Sequence, residues 1–204
     1  PFNDLTRINE PLRPQFVRAL DRVLDSSMYL RGSETAEFEG EWADRCGQGY
    51  AVTCNSGTDA LTLAAVALGL VTAATPANTL PLTATGLAAG GTQVRVVEVT
   101  QDGRMAHMAA DSVPMLLFGR LPSHQESAAA LVDAAHAHGW RPPTHVTATW
   151  SFYPTKTLGA LGDAGAVTTN DAGAAQYMRE LRGADDRLHD ARQLTSRMDE
   201  VQAA

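Results

Sequence analysis

Lysine is almost absent from this 204-residue chain: of its sixteen Lys and Arg side chains only Lys156 is lysine. Arginine stays protonated across the physiological range, so chemistry that needs a neutral, nucleophilic amine has a single side chain to use. Cysteine is scarce as well. Cys46 and Cys54 have neither the spacing of a metal site nor the number for a disulfide framework, and read as small buried apolar side chains in a reducing compartment. No apolar run is long enough to span a bilayer, since the longest, Ala60 to Val71, is interrupted by Thr62 and Gly69. The N-terminus lacks the basic-then-apolar order of a signal peptide, and a formal charge of −7 argues against a nucleic-acid or anionic-membrane partner. Internal repeats and low-complexity linkers are missing too. The expectation is a soluble, cytoplasmic, globular protein.

What is present is 44% hydrophobic, enough to bury one good core, and arranged as alternating helical and strand-like patterns. That alternation is the signature of an α/β domain with a mostly parallel sheet. Leu12 to Asp25 reads as a helix with Phe16, Leu20, Val23 and Leu24 on one face, and Phe38, Trp42 and Cys46 mark a second, closed by Gly47. Tyr50 to Cys54 reads as a strand, followed by a helix through Leu61, Ala64, Ala65 and Leu68 that ends at Gly69. Further strands are expected at Val94–Val99, Val113–Phe118, Leu131–Asp133, Val146–Ser151 and Gly165–Thr169, and a helix capped by Asn170 or Asp171 runs to about Arg182. Between Leu70 and Thr79 no strand is evident, and Phe118 reaches Leu131 through barely a dozen residues, where Ser123 and Glu126 suit a helix of two turns.

Three constellations carry possible chemistry. In Asn55-Ser56-Gly57-Thr58-Asp59 a strand turns into a helix, so the amides and hydroxyls of Ser56, Gly57 and Thr58 form either an anion site or an ordinary N-cap. Asp133 closes a buried apolar strand, where active-site carboxylates of open α/β sheets lie. His136 and His138 follow it; as a metal half-site the pair lacks a third ligand at matching spacing, and a structural role is the default for each. Ser151 and Lys156 put a hydroxyl and an amine on one turn, in the run SFYPTKTLGALGDAG. A phosphate cup, a strand-end acid and a Schiff-base lysine, in that order, are what pyridoxal phosphate requires.

The segments YAVTCNSGTDALTLAAVALGL, TPANTLPLTATGLAAGGT, LVDAAHAHG, SFYPTKTLGALGDAGAVTTND and SRMDEVQAA resemble, in order, the DegT/DnrJ/StrS family of sugar aminotransferases. The resemblance covers most of the chain and is most specific around the lysine. It implies the large domain of a fold-type I pyridoxal phosphate enzyme over residues 1–204, with a helical N-terminal segment over about 1–47 and without the smaller C-terminal domain into which family members continue. On this resemblance Lys156 would bind the cofactor covalently and later move a proton, and Asp133 would face the pyridine nitrogen. Gly57, Thr58 and Ser151, with Ser56 beside them, would bind the phosphate, and His136 would stand over the cofactor where many relatives have glutamine. Leu80 replaces the family's usual aromatic ring, and Thr195 an asparagine that reaches the neighbouring subunit in relatives.

The implied reaction moves an amino group from an amino-acid donor to a keto-sugar nucleotide or related cyclic ketone, in amino-sugar or natural-product biosynthesis. The implied assembly is a homodimer, with Arg197 and a helix beginning near Met198 close to the interface. The internal shortening keeps a noncatalytic cofactor- or partner-binding relative as the alternative. A dehydratase of the same type fits less well, because those relatives replace the lysine by histidine.

Overall fold

The computed structural model describes residues 3–183 and 192–204. Three helices come first: α1 (Leu5–Asn9), α2 (Arg13–Ser26) and α3 (Ser33–Cys46), the last ended by Gly47 at φ 68°. Then follow β1 (Tyr50–Cys54), α4 (Gly57–Ala67), β2 (Thr72–Pro76), α5 (Pro81–Ala89) and β3 (Gln93–Val97). The second half holds β4 (Leu131–Asp133), β5 (Thr147–Ser151), β6 (Gly165–Thr169), α6 (Ala172–Leu181) and α7 (Glu200–Ala203).

The strands pair in the order β1-β6-β5-β4, with β2 and β3 as a separate parallel pair. A segment of chain between them joins the two groups. Ala74 donates its amide to Asp111 and accepts from Val113, while Asp133 donates to Pro114 and accepts from Leu116. Both bridges are parallel. β6 is antiparallel to β1 and to β5, so every strand but β6 runs one way, as a mostly parallel α/β sheet requires. Side chains alternate across the strands: Ala51, Val132, Ala148, Trp150 and Ala166 face α3, whereas Val52, Cys54, Leu131 and Val167 face α4 and α6. On the α3 side Trp42 meets Trp150 and Phe152 edge-on at 5.2 and 5.0 Å. Both cysteines are free and buried, and burial pushes each thiol up to about 12.

Three expectations are corrected. Thr72–Pro76 is a strand although alanine and a closing proline give it little strand propensity; its place between β3 and the segment at 111–113 makes it one. Val113–Phe118 pairs on both sides but forms only isolated bridges, because Pro114 has no N–H to continue a ladder. The segment ends in a 3-10 turn, Leu117–Gly119, with Phe118 in the left-handed region at φ 54°. The two-turn helix after Ser123 is one 3-10 turn, Glu126–Ala128. There the Ser123 and Glu126 side chains cap each other's amides, and the Glu126 carboxylate holds Arg104 and Arg120, each at 2.6 Å.

Near the C-terminus, the fully buried Glu200 carboxylate accepts the amides of Gly32 and Glu34, both at 2.9 Å, and the Thr35 hydroxyl. Each such bond to a charged group contributes about 1.5–3 kcal/mol, so a four-residue helix is tied firmly to the start of α3. Met198 just before it is buried in the chain's own core, and Arg197 is half-exposed.

Candidate functional site

Because β1, β4 and β5 run in one direction, their C-terminal ends share one edge of the sheet, and the three constellations meet there. Ser56, Gly57, Thr58, Asp133, His136, Ser151 and Lys156 all line a cavity of about 430 Å³. The packing leaves no room for a side chain at position 57. A Cβ on Gly57 would stand 2.7 Å from the Ser151 Cβ, so glycine lets the first turn of α4 close against the end of β5. Ser56 caps α4 by accepting the Asp59 amide at 3.1 Å. The amides of Gly57 and Thr58 lie in the first turn, where the helix itself supplies no acceptor. Ser56 is therefore an N-cap, while Gly57 and Thr58 line the cavity in the first turn of the helix.

Asp133 is fully buried at the end of β4. Its Oδ1 accepts the Ala135 amide at 3.1 Å and its Oδ2 the Thr83 hydroxyl at 2.8 Å. Burial raises its carboxyl above the usual range, opposed by Thr83, the Ala135 amide and the positive charge of Lys156. Lys156 is half-buried in the turn after β5, its amide bonded to the Tyr153 carbonyl at 2.8 Å. Desolvation lowers the affinity of its amine for a proton, with Asp133 acting the other way. An amine so placed gives up its proton more readily than a solvated one, as a nucleophile or proton carrier must.

The two histidines diverge. His136 lines the cavity and accepts the Phe118 amide at Nδ1, 3.3 Å away, which leaves Nε2 as the protonated nitrogen; burial and the nearby Lys156 charge both lower its pKa. His138 is structural: its Nε2 bonds the Ser151 carbonyl at 2.9 Å and burial brings the ring down to about 4. Leu80 lines the cavity as an exposed aliphatic side chain, and Thr195 is exposed. The cavity also contains Tyr153 from the run before Lys156, and Thr83 and Asp163, neither of which stood out in the sequence. Thr83 sits on a helix fifty residues before its partner, and only the nearby Gly86 hints that this helix packs closely.

A model of the DegT/DnrJ/EryC1/StrS aminotransferase family matches residues 11–113 and 105–204. The chain is 35% identical to a dTDP-3-amino-3,4,6-trideoxy-alpha-D-glucose transaminase of Streptomyces venezuelae, covering 100% of this chain and 62% of that protein. It is 34% identical to the erythromycin biosynthesis sensory transduction protein EryC1 of Saccharopolyspora erythraea, again over all of this chain and 64% of the relative. Among solved structures, S. venezuelae DesV in complex with a ketimine intermediate superposes with a TM-score of 0.86 at 32% identity, over 100% of this chain and 63% of DesV. The chain thus spans under two thirds of the length of each of these relatives.

Proposed function

Because the chain belongs to the DegT/DnrJ/EryC1/StrS aminotransferase family, we propose that it carries the cofactor site of a pyridoxal phosphate enzyme that transfers an amino group to a keto-sugar nucleotide or related cyclic ketone. The observation that carries this reading is the meeting of an amine, a buried acid and a helix N-terminus at one cavity, in the only region of the chain that has a lysine. The residues fit the group. The missing Cβ at Gly57 lets Ser151 close against the first turn of α4, which brings the Ser151 hydroxyl to the same cavity as Gly57 and Thr58. When bound, the cofactor supplies a conjugated ring that accepts the electron pair released at the substrate carbon.

The chain's own residues do the rest. Lys156 would hold the cofactor through Nζ, and the same half-buried amine, once free, would carry a proton at Nζ. Asp133 would supply the negative charge that favours a proton on the cofactor's ring nitrogen. His136 offers Nε2–H as a donor within the same cavity. A noncatalytic relative has less support, since amine, acid and anion cup are all present together.

Lys156 is the sole lysine, which makes the test sharp. Borohydride reduction of protein incubated with pyridoxal phosphate should leave a pyridoxyl group on the peptide holding Lys156. Label on the N-terminal amine alone, or none, sinks the cofactor assignment. Transfer from glutamate to a dTDP-keto-sugar tests the reaction itself.

The reading includes a homodimer in the cytoplasm. Leu80, Leu82 and Tyr153 line the cavity while each about half-exposed, and Phe118 stands 91% exposed beside His136. Apolar side chains grouped at a polar site are the kind of surface a second subunit covers. Two free thiols suit a reducing compartment. Sedimentation of the cofactor-loaded protein should give twice the chain mass; a monomer with full cofactor affinity contradicts a shared site.

A further inference from the structure

Asp133 is reached from α5 by a chain of two hydroxyls. Thr83 is buried, donates to Asp133 Oδ2 at 2.8 Å, and lies 2.7 Å from the hydroxyl of Thr79, just before the helix. Chemistry sets the direction of these bonds. An ionised carboxylate only accepts, so Thr83 spends its one proton on Asp133 and its oxygen is left to accept from Thr79. The approach of α5 is itself built. A Cβ on Gly86 would lie 2.5 Å from the Thr58 carbonyl oxygen, and the Thr62 hydroxyl donates to the Gly86 carbonyl at 2.8 Å. The helix that carries Thr83 is therefore docked on the same first turn of α4 that faces the anion side of the cavity.

We infer that Thr83 is a positioning residue for Asp133, with Thr79 fixing the Thr83 hydroxyl, so that the buried acid stays ionised and in one orientation. Its catalytic consequence rests on the cofactor reading of the site; the hydroxyl chain does not. Thr83→Val would retain the branch and lose the hydroxyl, both the donor to Asp133 and the acceptor for Thr79, which leaves Asp133 with the Ala135 amide and the charge of Lys156 against the cost of burial. Lys156, His136, Tyr153 and Asp163 are the other titratable groups lining this cavity, and the substitution alters none of the four.

The test follows the Asp133 carboxyl carbon by NMR titration in protein without added cofactor, alongside kcat and KM of the loaded protein. In Thr83→Val the resonance should titrate at higher pH than in the native chain, and kcat should fall about tenfold with little change in KM. Thr83→Ser should restore both. Thr79→Val should move the midpoint the same way by less, and it carries the test if Thr83→Val fails to fold. An unmoved Asp133 midpoint in folded Thr83→Val, or in folded Thr79→Val when that variant stands in, overturns the inference. A shifted midpoint in a protein that binds no pyridoxal phosphate supports the hydroxyl chain and refutes the cofactor reading instead.

Discussion

Lys156→Arg should lower amino transfer by at least about a thousandfold while the protein still folds, because it keeps the charge and removes the chemistry. The native amine is half-buried, and desolvation makes its proton easier to lose despite the opposing charge of Asp133. Guanidinium does not lose its proton at any working pH and cannot attack a carbonyl. Single-turnover transfer measures the loss, and no pyridoxyl label should then appear inside the chain, which has no other lysine. Activity within tenfold of native would mean that Lys156 contributes only its charge. Partial recovery of Lys156→Ala by a small added amine would localise the defect to proton transfer.

The solitary lysine is legible because composition alone isolates it, and the strands around it are legible because they alternate. Tyr50–Cys54, Leu131–Asp133 and Gly165–Thr169 have the expected bounds, since each begins or ends at a turn signal and is buried on both faces. Thr72–Pro76 lacks that pattern: its alanines owe their strand conformation to neighbours on either side. α5 is hidden for a related reason. Thr83, Gly86 and Leu87 bury while Leu82 and Thr85 do not, so small and polar residues replace the apolar stripe that marks a helix. Of the site, Asp133 could be read from its place at a strand end, but Thr83 could not, because hydrogen bonds between distant segments leave no spacing in sequence.

Asp133→Asn separates the charge of the acid from its place in the fold. The amide keeps one acceptor oxygen for the Ala135 amide and puts its NH₂ toward Thr83, whose hydroxyl can then accept and turn its proton toward Thr79. The hydroxyl chain reverses without breaking, so folding should be little disturbed. What disappears is the negative charge. A carboxylate next to a ring nitrogen favours its protonated form by about 1 to 3 pKa units, or roughly 1.4 to 4 kcal/mol. Without it kcat should fall about ten- to a thousandfold, while cofactor affinity, which the proposed site assigns to Lys156 and the start of α4, should change less than about tenfold. Equal losses in kcat and in cofactor retention would point to a displaced α5 instead, which the Asp133→Asn melting temperature would reveal. Native turnover in the variant would reduce Asp133 to a strand-end carboxylate and remove the ring-nitrogen role from this site.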